Sequence, residues 1–140
     1  MYYKQGRFQD AIACFDRVIE MDPGHVEAWQ DRGICLKELG RYEEAIQSFD
    51  RVITLNAPTT ETYYYKGEAL EKLGKSSGNA GLFEEAVRYF DKVLELDPSQ
   101  VNAWNYRGLC LKELRRDEEA KKSFDRAQTL IRQGIQRPYH

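Results

Sequence analysis

The sequence has few cysteines, almost balanced charge and no long apolar run. Its three cysteines, Cys14, Cys35 and Cys110, are scattered without a CxxC pair, which argues against a disulfide framework and fits a reducing cytosol. The 140 residues carry a formal net charge of −2, whereas electrostatic binding of nucleic acid requires a basic surface. No apolar run approaches the roughly 20 residues that cross a bilayer, and no signal peptide precedes the first motif. These absences predict a soluble, cytoplasmic protein that binds neither nucleic acid nor a membrane.

The sequence also lacks the motifs that catalysis or metal binding would use. It has no phosphate-binding glycine loop, no GxSxG and no HExxH. Its two histidines, His25 and His140, have no metal-ligand neighbourhood in the sequence. We therefore expect no enzymatic activity, no metal site and no cofactor.

What the sequence does have is an internal repeat. Residues 28–52 return as residues 103–127 with roughly two-thirds of the positions identical. Trp29, Tyr63 and Trp104 each precede a glycine by four residues; the first two lie 34 residues apart, and the next interval is that period plus seven inserted residues. A second block, in which an alanine is followed by phenylalanine and aspartate, occurs four times, at 11–16, 45–50, 86–91 and 120–125. Such a period indicates stacked copies of one helix–turn–helix unit.

These markers resemble the tetratricopeptide repeat (TPR), whose pattern is an aromatic, a small residue, a turn glycine, then an aromatic, alanine, aromatic, small residue and proline. The repeat subtype looks prokaryotic. The opening half repeat supplies Gly6, Phe8, Ala11, Phe15, Val18 and Pro23, and the next repeat supplies Trp29, Gly33, Gly40, Tyr42, Ala45, Phe49 and Val52. The third supplies Tyr63, Gly67, Gly81, Phe83, Ala86, Phe90, Val93 and Pro98, and the fourth Trp104, Gly108, Ala120, Phe124 and Ala127.

The resemblance implies an all-α fold, a right-handed superhelical α-solenoid of antiparallel helix pairs. We predict about three and a half repeats. The seven helices are expected at about 7–21, 25–39, 42–55, 59–73, 82–96, 100–114 and 117–133. A single domain, 1–140, would comprise a half repeat (1–25), three repeats (26–59, 60–100 and 101–134) and a tail (135–140).

Three departures from the pattern carry information. Residues 1–5 match only the tail of a first helix, so the helix that follows lacks a full partner. Residues 74–81, rich in glycine, serine and asparagine, predict a mobile exposed loop, either a functional loop or a tolerated insertion. The last repeat is more polar, as terminal repeats are. It has Arg115, Asp117 and Lys121 at usually apolar or glycine positions, yet keeps Leu130, Ile131 and Ile135 near an end that no separate capping helix covers.

Charged residues that recur at one repeat position are interpreted as structural. Glutamate pairs such as Glu43–Glu44 fall in the first turn of each second helix, where they favour the helix dipole. The aspartate after each repeat phenylalanine is interpreted as a solvated residue or an inter-helix pair. Arg32, Lys66 and Arg107 stand where the family usually has leucine, and structural pairing is favoured over ligand contact. Cys35 and Cys110 share their position with Ala69 and are predicted to be small core residues.

The first helix of each pair lines the concave face of such a solenoid, and helical spacing predicts which side chains face it. The resulting candidate groove residues are Glu27, Gln30, Asp31, Ile34, Glu61, Tyr64, Tyr65, Glu68, Asn102, Asn105, Tyr106 and Leu109, with Lys37, Glu71 and Lys112 at the far end. TPR domains that grip the C-terminal carboxylate of Hsp70 or Hsp90 use basic residues and asparagine at set positions. Here Asp31, Glu61 and Tyr65 stand at those positions, which argues against a chaperone-tail clamp. The three tyrosines could instead pack between helices.

Two functions are compatible with these features. The first is a non-catalytic protein–protein interaction scaffold that binds a peptide or helix of a partner in the groove. The alternative is a structural self-association module, a homo-oligomer such as a dimer or a stacked array that forms through exposed terminal helices.

Overall fold

A computed structural model describes residues 5–134, which form seven α-helices and, over that range, no strand. Each helix packs on its neighbour along the chain, and the first helices of successive pairs also touch. This is the predicted all-α solenoid. The helices are α1 (Gln5–Met21), α2 (Val26–Glu38), α3 (Tyr42–Thr54), α4 (Thr60–Ser77), α5 (Ala80–Leu96), α6 (Val101–Glu113) and α7 (Asp117–Arg132). The expectations for residues 1–4, Ile135 and the tail lie outside the described residues.

Each helix pair is held by a glycine of the first helix against a phenylalanine ring of the second. A Cβ atom on Gly33 would lie 2.6 Å from the Phe49 ring, closer than real Cβ contacts allow. The ring therefore occupies the space that any side chain at position 33 would need, and Phe49 is fully buried. The same contact joins Gly67 to Phe90 and Gly108 to Phe124. The glycines of the repeat thus allow the two helices of a pair to approach closely.

Local hydrogen bonds define the helix ends. The side chain of His25 caps α2 by accepting the Ala28 N–H at 3.1 Å, so this histidine has a structural role. The indole N–H of Trp29 donates to the Pro23 carbonyl at 2.8 Å, and Trp104 makes the same bond to Pro98. Both tryptophans thus fix the turn that precedes their helix.

Of the three predicted turn glycines, one ends a helix and two lie within helices. Gly40 has a φ of 78°, as a helix-ending glycine should. Gly6 and Gly81, by contrast, lie inside α1 and α5. Arg115 takes the left-handed conformation with a φ of 61° where the sequence lacks glycine. The turn thus keeps its geometry at a steric cost to Arg115.

The prediction of a mobile loop at 74–81 is wrong. Residues through Ser77 continue α4, which has 18 residues where α2 and α6 have 13 each, and α5 starts at Ala80. Only Gly78, with a φ of 70°, and Asn79, which caps α5, join the two helices. Packing outweighed local propensity, because Gly74 lies against the Phe83 ring and adds a second glycine–phenylalanine contact about two turns beyond Gly67.

Successive helix pairs are connected by one basic residue in each first helix. Arg32 on α2 donates through Nε to Asp16 on α1, at 2.7 Å, and through Nη1 to Ser48 on α3, also at 2.7 Å. One guanidinium therefore connects three helices. The same bonds join Arg107 to Asp91 and Ser123. The predicted structural pairing is confirmed.

Lys66 takes this place in α4. Its ammonium donates to the Asp50 carboxylate and, at 2.8 Å, to the Tyr89 hydroxyl. Burial alone would lower the pKa of Lys66, but its hydrogen bonds to Asp50 and Tyr89 outweigh desolvation and the pKa is raised. Asp125, the fourth aspartate of the series, has no basic partner among the described residues. Three of four copies are thus inter-helix pairs.

The cysteines behave as the sequence predicts. Cys35 and Cys110 are buried in the core, as is Ala69 at the same repeat position, and Cys14 is exposed on α1. Burial raises the pKa of Cys110 to about 12 and also raises that of Cys35. All three thiols are free.

Substituting Gly33 with alanine should lower the free energy of unfolding by about 1–3 kcal/mol, because the Phe49 ring must move from a fully buried site. Urea unfolding followed by circular dichroism measures it. The control Gly6→Ala, on an exposed helical position with open space around it, should leave stability unchanged or raise it by up to about 1 kcal/mol. Equal effects at both positions would contradict the close-contact interpretation.

Asp50→Asn should lower the free energy of unfolding by roughly 1–2 kcal/mol, because Lys66 is buried and loses its carboxylate partner. Asp125→Asn is the matched control: it occupies the same repeat position, and its carbonyl accepts the same threonine hydroxyl bond, but it lacks a basic partner in the described structure. Thermal unfolding of both variants compares them. A loss at Asp125 as large as that at Asp50 would rule out the pairing as the cause.

Candidate functional site

Two clefts open along the face formed by the first helices α2, α4 and α6. The large cleft, of about 520 Å³, lies where α2, α4 and α6 face one another. The small cleft, of about 300 Å³, lies between α2 and the start of α4. All twelve candidate groove residues line one or the other. The small cleft has Glu27, Gln30, Asp31, Ile34 and Glu61; the large cleft has Tyr64, Tyr65, Glu68, Asn102, Asn105, Tyr106 and Leu109.

The geometry therefore gathers the candidate residues into two surfaces, while their role in binding remains a prediction. Of the three residues expected at the far end, Lys37 and Glu71 line the large cleft, and Lys112 does not line either cleft.

The small cleft is acidic. Glu27, Asp31 and Glu61 line it together, and none of its other lining residues within 5–134 has a basic side chain. The pKa of Asp31 is raised, first by loss of hydration and then by repulsion from Glu27 and Glu61, with His25 acting in the opposite direction. Three carboxylates that repel one another create a negative potential that a cation would relieve.

Gln30 has a structural partner as well as a place in the small cleft. Its side-chain oxygen accepts the Thr62 hydroxyl at 3.0 Å, and Thr62 is fully buried. Thr62 in turn accepts the Thr59 N–H at 3.1 Å and completes a capping box at the start of α4. Gln30 therefore helps to join α2 to α4 and is only partly available to a ligand.

The tyrosines of the large cleft contribute mainly to packing. Tyr64 and Tyr65 are 3% and 5% exposed and meet edge to face with ring centroids 5.5 Å apart. Tyr106 stacks on Phe90 at 5.5 Å and presents its edge to Tyr64 at 5.9 Å. Tyr64 and Tyr65 therefore pack between helices, which was the alternative expectation for the tyrosines. Tyr106 is half-buried and keeps an accessible surface.

Burial shifts the titration of the same tyrosines. The pKa of Tyr64 and of Tyr106 is raised, first by desolvation and next by the negative charge of Glu68. Both hydroxyls therefore stay protonated at neutral pH and can act as hydrogen-bond donors. Within the protein, the Tyr64 hydroxyl is already hydrogen-bonded with Asn102 and the Tyr106 hydroxyl with Glu68.

Charged residues of the large cleft form two groups. Lys37 lies 2.9 Å from Glu38 and 3.4 Å from Glu68, with its ammonium 4.9 Å from the Tyr65 ring centre. Glu71 lies 3.6 Å from the ammonium of Lys72 and 3.3 Å from that of Lys75, both on its own helix. Basic and acidic side chains are thus mixed here, in contrast to the small cleft.

Sequence reasoning missed several lining residues. Glu38, Lys72 and Lys75 belong to the large cleft; Val26, Val52, Ala57, Thr59 and Thr62 belong to the small one. Lys75 was missed because α4 was predicted to end at about residue 73. The three- and four-residue spacing of Glu68, Glu71, Lys72 and Lys75 is the signal that would have placed them on one helix face.

Within residues 5–134, no cluster of three or more histidine, cysteine or acidic side chains could hold a metal ion. Over the same residues, none of the helices has both the length and the apolar character that crossing a membrane requires.

Comparisons with known proteins agree with this architecture. The structure described as "MamA RS-1 ArsTM double mutant" aligns with a TM-score of 0.82 and 22% sequence identity, covering 92% of this chain and 68% of that chain. MamA 41-end from Desulfovibrio magneticus RS-1 aligns with a TM-score of 0.81 and 22% identity, covering 91% of this chain and 68% of that chain. MamA MSR-1 aligns with a TM-score of 0.80 and 21% identity, covering 93% of this chain and 71% of that chain. At these identities the likeness shows the fold alone.

No curated protein sequence matches this one significantly. The model of a family described as tetratricopeptide repeat matches residues 2–59 and 71–138, which is most of the chain. The antiparallel helix pairs of residues 5–134, the recurring glycine–phenylalanine contact and this match lead to one conclusion. The chain belongs to the tetratricopeptide repeat family.

Proposed function

We propose that this protein is a non-catalytic interaction scaffold that binds a peptide or helix of a protein partner along α2, α4 and α6. The observation that carries the proposal is that side chains which differ between repeats line two adjacent open clefts, whereas the recurring side chains are used for packing. Residues 30, 31 and 34 vary among the copies, while Gly33 and Leu36 on the same helix recur and are buried. The tetratricopeptide repeat fold supports an interaction scaffold as such.

The chemistry of the clefts favours a neutral or basic segment. The carboxylates of the small cleft would attract a cationic side chain and repel an acidic one. The accessible edge of Tyr106 and the amide of Asn105 offer apolar area and hydrogen bonds at little entropic cost. The same reasoning weighs against a site for an acidic chain terminus, because Asp31 and Glu61 would repel it.

Reversing two charges in the small cleft tests the groove. The double variant Asp31→Lys, Glu61→Lys should weaken binding of basic peptides selected on the wild-type protein from a random display library. The affinity should fall about tenfold, which corresponds to about 1.4 kcal/mol of binding free energy, and fluorescence anisotropy measures it. Glu43→Lys, Glu95→Lys is the matched control, because both acids are exposed on second helices outside the two clefts. If the control variant loses binding and the cleft variant does not, the groove assignment is wrong.

A second candidate function is self-association through the outer helices. Within the described residues, α1 packs only on α2, and α7 only on α6. Met21 and Val18 on α1 are 88% and 36% exposed, and Ile131 on α7 is 37% exposed. Apolar side chains on helices with one covered face supply the surface that a second copy would bury.

Light scattering over a range of concentrations tests this second candidate. Self-association predicts a mass that rises with concentration and returns to that of a monomer in Val18→Asp, Met21→Lys. Leu96→Lys is the control, because Leu96 is 61% exposed but lies within the stack on α5. A wild-type protein that stays monomeric at high concentration contradicts self-association.

A further inference from the structure

The large cleft contains a buried carboxylate that accepts no hydrogen bond within the described residues. Glu71 on α4 is 1% exposed and lines the cleft, and neither of its carboxylate oxygens has a hydrogen-bond partner in the described structure. Its nearest cations are the ammonium of Lys72, 3.6 Å from Oε1, and that of Lys75, 3.3 Å from Oε2. A buried charged group normally accepts hydrogen bonds, because losing its hydration without them is costly. Glu71 therefore has unused accepting capacity in the wall of an open cleft, and a ligand reaches its oxygens only by displacing the side chains that cover them.

The cations already present are poorly suited to fill that capacity. Lys75 is half exposed and lies one turn further along the same helix. The Lys72 ammonium lies 5.7 Å from the ring centre of Tyr106. Lys37, on the opposite wall, is engaged by Glu38 and Glu68. Both neighbours of Glu71 are flexible point charges, so a better donor can displace them at small cost.

Building on the proposed function, we propose that the large cleft receives an arginine side chain of the bound segment, whose guanidinium donates to both carboxylate oxygens of Glu71. A planar guanidinium presents parallel N–H donors that match a carboxylate, which neither lysine can do. Tyr106, whose ring stacks on Phe90 and lies 5.7 Å from the Lys72 ammonium, lines the same cleft, and a guanidinium that displaces Lys72 would take over this cation–aromatic contact. The cleft volume of about 520 Å³ leaves room for the side chain.

The test selects peptides from a random display library on the full 140-residue protein and again on Glu71→Gln. The expected result is enrichment of arginine at one peptide position on the wild type and loss of that enrichment on the variant. Affinity of the selected peptides should fall about tenfold with Glu71→Gln, as for a hydrogen-bonded charge pair. Lys75→Met should instead strengthen binding severalfold, because it removes a competing cation. A purely structural role for Glu71 would not produce this gain.

A modified peptide makes the test independent of how well the variant folds. Replacing the enriched arginine by citrulline, its neutral isostere, should lower affinity for the wild type about as much as Glu71→Gln does. The same replacement should have little further effect on Glu71→Gln, since both changes remove one interaction. Glu43→Gln, outside the cleft, is the protein control and should bind like the wild type.

The possible outcomes separate the two proposals. The arginine site is overturned if the selected peptides lose affinity on Asp31→Lys, Glu61→Lys but contain no enriched arginine. It is also overturned if they bind Glu71→Gln as tightly as the wild type. Either result leaves the scaffold function standing. Peptides whose binding is lost on second-helix substitution, or a library from which none is selected on folded protein, overturn both.

Discussion

The contact between a glycine backbone and a phenylalanine ring is the constraint on which the rest of this structure depends. Without a side chain at Gly33, Gly67 and Gly108, the ring of the second helix lies directly on the backbone of the first. The distance between the paired helices is thereby set at three places along the chain. Since the second helices use their apolar face for this contact, the outer face of each first helix is left to form the clefts.

A second set of interactions converts separate helix pairs into a stack. Arg32, Lys66 and Arg107 each join their own pair to the preceding one through an aspartate, so neighbouring pairs are connected by both charge and packing. Nearest-neighbour coupling of this kind is how repeat proteins obtain stability without long-range contacts. In each of these ion pairs the aspartate is about half exposed and the basic partner is largely buried. The ion pairs therefore contribute less to stability than the buried rings do, but they fix the register between repeats.

The sequence was informative about the stack because every packing residue occurs several times. One occurrence of Trp29, Gly33 and Phe49 is a weak signal, and three occurrences at a fixed period are a strong one. The error at 74–81 arose where no second copy existed for comparison. Glycine and serine there favour a loop locally, yet Ser76 and Ser77 donate to the Leu73 carbonyl within a continuing helix, and Gly74 packs on Phe83.

The candidate site was predicted with uneven success for a related reason. Helical spacing placed twelve side chains on the cleft-lining face, because direction follows from periodicity. Spacing carries no information about burial or partners, so it could not show that Tyr64 and Tyr65 are core residues or that Glu71 lacks hydrogen bonds. Placing Lys75 required the true end of α4, which depends on the packing of Gly74 against the Phe83 ring of α5 rather than on local helix propensity.

The central claim is that residues which vary between repeats form the binding surface and residues which recur build the stack. Amide chemical-shift mapping of the protein with a selected peptide tests it most directly. The account predicts shifts concentrated on α2, α4 and α6, including Asp31 and Asn105, with α3, α5 and α7 little affected. Shifts concentrated on the second helices would contradict it.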